Sequence, residues 1–125
     1  MILYLLDANI AVYAMEGAFP ALREKLESHE PGSVAISAIS FAEVAYGTYV
    51  GKPPTPEVLE AFLMSIPLVS FDEAAAREYA RLPFKRARFD RLLAAHALSI
   101  GATVVTNNEA DFADVPGLKV ENWTV

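Results

Sequence analysis

Three acidic side chains, Asp7, Glu43 and Asp90, stand where apolar core residues would be expected. Asp7 follows the run Ile2-Leu3-Tyr4-Leu5-Leu6 and precedes Ala8, Ile10 and Val12. Glu43 has Ile39, Tyr46, Gly47 and Val50 at helical offsets, and Asp90 has Leu93, Ala94 and Ala97. Residues at those offsets share one side of a helix, which puts both acids at the edge of an apolar stripe. A buried, unpaired carboxylate is costly, and proteins pair it, protonate it or use it to bind a metal. Glu43 has no basic neighbour in sequence, and Arg88 and Arg91 lie off Asp90's apolar stripe. A shared divalent cation satisfies all three acids at once. Oxygen ligands in a chain without cysteine favour Mg2+ or Mn2+ over zinc.

Each acid also has a plainer reading. Asp7 could cap a short helix after the first strand, and Asp90 suits the first turn of a helix. Ser40-Phe41-Ala42-Glu43 has the form of a capping box, in which Ser40 would start the helix and Glu43 would close it. A fourth acid is less determined. After Thr103-Val104-Val105-Thr106 comes Asn107-Asn108-Glu109-Ala110-Asp111-Phe112, and Asp111, Glu109 and Asp114 are all candidates. Asp111 is preferred because it adjoins the apolar Phe112. Asn9, Thr106 and Asn108 are placed either to orient the ligands by hydrogen bonds or to close turns. His96 sits six residues beyond Asp90, off its helical face, and like His29 is read as structural or surface. Tyr13 and Trp123 are read as packing residues.

The elements that must position these acids are short. Apolar runs predict strands at Ile2–Leu6, Val34–Ile36, Leu68–Val69, Thr103–Thr106 and Lys119–Val120. Helical spacing covers Ala18–His29, Ile39–Val50, Pro56–Ser65, a stretch from Asp72 to about Leu82, and Phe89–Ile100, the last closed by Gly101. Strands alternating with helices predict an α/β fold: a single three-layer domain over residues 1–125, with a mostly parallel central sheet flanked by helices. In such sheets ligands sit beyond the carboxyl ends of the strands, and Asp7 follows the first strand directly.

The chain has 125 residues, 54% of them hydrophobic, enough for one domain with a real core. It has no cysteine, shows no basic leader, and has no apolar run near the ~20 residues of a membrane helix. The expectation is a soluble, cytoplasmic protein. Net charge is −6, which on bulk electrostatics argues against a nucleic-acid partner. Distribution matters more: Lys85, Arg86, Arg88 and Arg91 cluster just around Asp90, with Phe84 and Phe89 interleaved. The cluster is either a solvated helix start or a rim for phosphates beside an acidic centre.

At these residues the sequence resembles the PIN domains, and in particular VapC-type toxins of bacterial toxin–antitoxin systems. Leu5-Leu6-Asp7-Ala8-Asn9-Ile10 is similar to the opening strand with its first acid. Ser37 to Gly47 is similar to the motif that carries the glutamate, and Phe89 to Ala97 to the Asp-led Ala-Ala helix. Val105 to Phe112, with Val115-Pro116-Gly117-Leu118 and Glu121-Asn122-Trp123, resembles the C-terminal segment. Each motif is weak, but four in register along the whole chain are specific. The resemblance implies a PIN-like nuclease domain with acids at the carboxyl edge of a parallel sheet, an Mg2+ or Mn2+ cofactor, and endoribonuclease activity. Its catalytic and metal-holding residues would be Asp7, Glu43, Asp90 and Asp111, with Lys85, Arg86, Arg88 and Arg91 toward RNA. It also implies a homodimer and a small antitoxin partner. The family often has an acid where Asn108 stands, which leaves the fourth ligand open. Competing readings are a haloacid-dehalogenase-like phosphatase, which wants an acid at Asn9, a receiver-like regulatory domain, which wants an acceptor Asp where Ser70 stands, and a catalytically silent PIN scaffold.

Overall fold

A computed structural model describes residues 1–83 and 88–125. Five short strands form one all-parallel sheet: β1 (Tyr4–Leu6), β2 (Val34–Ser37), β3 (Leu68–Val69), β4 (Thr103–Val105) and β5 (Val120–Glu121). Their spatial order is β3-β2-β1-β4-β5. Six helices among the described residues cover the sheet: α1 (Ala8–Glu16), α2 (Pro20–Ser28), α3 (Ala38–Tyr49), α4 (Pro56–Ser65), α5 (Glu73–Arg81) and α6 (Phe89–Ile100). A 3-10 turn at Glu109–Phe112 lies between β4 and β5.

The central strands are apolar because both their faces are covered. Leu5, Leu6, Ala35, Ile36, Val104 and Val105 are all fully buried. On one side Leu5, Ala35 and Val104 meet Leu93, Ala94 and Ala97 of α6 and Phe112 of the 3-10 turn. On the other, Leu6, Val34 and Val105 meet Ile10, Leu22 and Trp123. The run of alanines in α6 lets that helix lie close to the sheet. Three layers result, as the alternation of strands and helices predicts.

Differences from the sequence-based bounds are small and have local causes. The helix expected from Ala18 begins at Pro20, because Gly17 ends α1 in the left-handed region at φ 69° and proline is favoured in a first turn. The helix expected from Ile39 begins at Ala38, with Ser37 as its N-cap. Ser40 therefore lies inside the helix, and the capping-box reading of Ser40 and Glu43 is corrected: Ser37 accepts the hydrogen bond from the Ile39 amide at 3.0 Å.

Candidate metal centre

The strand order places a topological switch at β1. The chain leaves β1 toward β2 and β3 on one side, then crosses to β4 and β5 on the other. At such a switch the connections diverge and open a crevice at the carboxyl ends of the strands. Asp7 stands at the end of β1, and its backbone amide still bonds to the Val105 carbonyl at 3.0 Å, continuing the ladder with β4. Its carboxylate accepts from the Ile10 amide at 2.8 Å and so caps α1. The capping role and a place in the crevice coexist in one side chain.

Three further carboxylates reach the same crevice from separate parts of the chain. Glu43 projects from the second turn of α3, Asp90 from the first turn of α6, and Asp111 from the 3-10 turn. Their proximity raises the carboxyls of Asp7, Glu43 and Asp90. Burial pushes the Asp7 carboxyl above its ordinary value, hydrogen bonds from Thr106 and the Ile10 amide pull it back, and repulsion from Asp90 and Asp111 pushes it further up. Glu43, although exposed on α3, is also raised, first by partial desolvation of its carboxyl and then by repulsion from Asp90 and Asp7. Asp90 is raised first by burial and then by the neighbouring Asp111 carboxylate, with Arg88 and Arg91 opposing.

Two hydrogen-bonding side chains tie this set together. Thr106, fully buried just after β4, bonds to the Asp7 carboxylate and accepts from the Asn108 amide at 3.0 Å. Asn108 in turn donates from Nδ2 to Asp111 at 2.6 Å. A continuous chain thus runs from Asp7 through Thr106 and Asn108 to Asp111. Asn9 is exposed in the first turn of α1.

The basic residues fall differently. Lys85 and Arg86, expected on the approach to the acids, lie outside the described residues. Arg88 is the exposed N-cap residue just before α6, and its charge reaches Asp90. Arg91 is engaged by Asp114 through two hydrogen bonds, one from Nη1 to Oδ1 at 2.6 Å. Asp114, a candidate for the fourth acid, is thereby committed to an ion pair, and the bond from Arg91 holds its carboxyl below the usual range. Glu109 is exposed on the 3-10 turn.

The donor set suits a hard cation. Asp7, Glu43 and Asp90 are each raised by desolvation and by a neighbouring acid, and an ion held among these carboxylates and Asp111 would relieve both. As the side chains stand, no group of three or more His, Asp or Glu among the described residues is drawn in tightly enough to grip an ion. Closing the set requires carboxylates to move toward one another, which repulsion opposes and a cation favours. Sequence reasoning missed the Asp114 pair with Arg91 and the burial of His96 against Ser37, because both join residues far apart in the chain.

Comparison with known proteins agrees with this architecture over nearly the whole chain. The family model described as PIN domain matches residues 4–118. The tRNA(fMet)-specific endonuclease VapC of Shigella flexneri is 31% identical, covering 99% of this chain and 100% of the relative. Ribonuclease VapC2 of Rickettsia felis is 32% identical, with 97% and 98% covered. Among solved structures, that of VapBC2 from Rickettsia felis bound to a DNA fragment from their promoter superposes with a TM-score of 0.85 at 30% identity, covering 98% of this chain and 99% of the other. These matches exclude the phosphatase and receiver readings; the receiver order, with β1 paired between the second and third strands, also differs from the order seen here. A switch-point crevice lined by acids from four separate segments, and relatives aligned from end to end, lead to one conclusion: the chain belongs to the PIN domain family, among its VapC-type members.

Proposed function

We propose that this protein is a metal-dependent endoribonuclease, the toxin of a toxin–antitoxin pair, and that Asp7, Glu43, Asp90 and Asp111 hold its Mg2+ or Mn2+. The observation that carries the reading is the convergence of these four acids at the carboxyl ends of β1 and β4, with mutual repulsion that protonation or a cation must relieve. The names of the relatives from Shigella flexneri and Rickettsia felis support RNA as substrate and hydrolysis of its phosphodiesters as the reaction.

A bound divalent cation supplies Lewis acidity, activating water for attack and offsetting the charge that builds on phosphorus. The chain's own residues do the rest. Thr106 fixes the rotamer of Asp7, and Asn108 fixes that of Asp111, so two of the acids are oriented before any ion arrives. Arg88, with Lys85 and Arg86 before it in sequence, supplies positive charge beside the acids where the RNA backbone would approach, which answers the net charge of −6. Arg91 stiffens the rim through Asp114.

The solved VapBC2 assembly from Rickettsia felis supports a small antitoxin as partner, and the resemblance to VapC-type toxins supports a homodimer. No helix among the described residues is long and apolar enough to cross a membrane, in keeping with action in the cytoplasm. The decisive experiment purifies the chain without partner and follows RNA cleavage in Mg2+ or Mn2+. Wild type should cleave, chelator should stop it, and Asp7→Asn should reduce cleavage to background. Persistence of cleavage in Asp7→Asn overturns the assignment, and poor Mn2+ binding together with no cleavage of RNA would favour a silent scaffold.

A further inference from the structure

Among the described residues one buried titratable side chain stands outside the proposed reaction, His96 in the middle of α6. It is 1% exposed, and its Nδ1 lies 2.7 Å from the hydroxyl of Ser37, which is fully buried. Ser37 ends β2 and caps α3, accepting from the Ile39 amide at 3.0 Å. A hydroxyl that accepts from the Ile39 amide keeps its own proton to give, so Ser37 can donate to Nδ1 when the ring carries its proton on Nε2. Nε2 closes no hydrogen bond of normal geometry, although the Ser70 backbone interacts with the ring and favours its charged form. The edge of the ring packs against Phe71 with centroids 5.5 Å apart. Burial lowers the His96 pKa more than Asp72 and Ser70 raise it, so the imidazole is neutral near pH 7.

The placement of this pair is specific. Ser37 stands six residues before Glu43, and His96 six residues after Asp90. Each is roughly 9 Å along its element from the acid, at ~1.5 Å of rise per residue. The bond therefore joins the base of the element carrying one acid to the body of the helix carrying the other. Those two acids repel each other, so the force between their helices acts to separate them, and a directional buried hydrogen bond resists it where apolar contact alone could slide.

We propose that the Ser37–His96 hydrogen bond is a positioning device that sets the separation of Glu43 and Asp90. This inference rests on the proposed metal centre. His96 touches neither substrate nor ion; it acts through the two elements it joins. Removing the acceptor strands a buried hydroxyl and lets α3 and α6 settle at a spacing less suited to a cation. Asparagine, whose side-chain oxygen can take the place of Nδ1, should restore the bond.

The test is Mn2+ calorimetry on the purified full chain, with thermal melts to establish folding. Relative to wild type, His96→Phe and Ser37→Ala should each weaken Mn2+ binding about 10–100-fold, the range for residues that orient metal ligands. His96→Asn should stay close to wild type, and the double variant should be no weaker than either single one. Unchanged affinity in a folded single variant, or losses that add in the double variant, overturns the inference while leaving the metal centre intact. Should His96→Phe fail to fold, Ser37→Ala, which removes one oxygen, decides alone. Absence of Mn2+ binding in wild type overturns the metal centre, and this inference with it.

Discussion

Asp7 has two duties that pull in opposite directions. Its carboxylate caps α1, which favours the charged form, yet it is desolvated beside Asp90 and Asp111, which disfavours it. Asparagine caps a helix about as well as aspartate, so Asp7→Asn separates the two. A carboxyl whose pKa is higher in the folded than in the unfolded chain leaves the folded state holding more protons. Asp7, Glu43 and Asp90 are all of this kind, so metal-free stability should fall as pH rises from the ordinary carboxylate range of about 4 toward neutrality. Melts in chelator should show Asp7→Asn more stable than wild type at pH 8, with the gap closing at pH 4. Thr106→Val keeps the shape but removes the bond to Asp7, and should weaken Mn2+ binding or cleavage about 10–100-fold. The half-burial of Asp7 and Asp90 could be inferred from their apolar neighbours in sequence, but the same reading of Glu43 is corrected: it is exposed, as are Tyr46 and Val50 of its expected apolar stripe. Asp111 could not be separated from Glu109 and Asp114 in this way: a 3-10 turn has no apolar period to read, and the choice depends on Asn108 and Arg91 reaching across space.

At the scale of elements, the signals that worked were those in which one residue decides a backbone conformation. Gly101 ends α6 at φ 68°, a region where a Cβ is strained by about 1–2 kcal/mol. Gly101→Ala should therefore lower unfolding stability by about 1 kcal/mol, measured by urea denaturation, without changing Mn2+ affinity. Pro56 in the first turn of α4 and the acid before α5 were equally legible, the latter because Asp72 accepts from the Ala75 amide at 3.0 Å. The capping-box pattern at Ser40 misled because two competing serines stand three residues apart. Ser37 is the one at the end of a strand, where the chain must turn. Strand edges were off by one or two residues for a related reason: pairing, not composition, ends a strand, and the partner lies far away in sequence.

For the whole molecule, the acidic crevice is a local instability held in place by the rest of the fold. A cation that binds the folded state alone should stabilise it by about 2.7 kcal/mol at a hundred times its dissociation constant, raising the melting temperature of wild type but not of Asp7→Asn. Charge at the rim acts at longer range. Arg88→Gln should weaken RNA binding and make it less sensitive to salt, while Mn2+ affinity stays unchanged. Filter binding at two salt concentrations checks the first, calorimetry the second.

The central strand β1 comes early in the chain, yet one of its two neighbours is β4, with Tyr4 beside Thr103 and Leu6 beside Val105. Domains fold as units during synthesis, and here β1 must wait for a partner about a hundred positions later. Until then Asp7 has neither Asp90 nor Thr106 beside it. A growing polypeptide therefore lacks the assembled set of acids until β4 and the turn that follows it have been made. Fragments ending before residue 103 should accordingly take up no Mn2+.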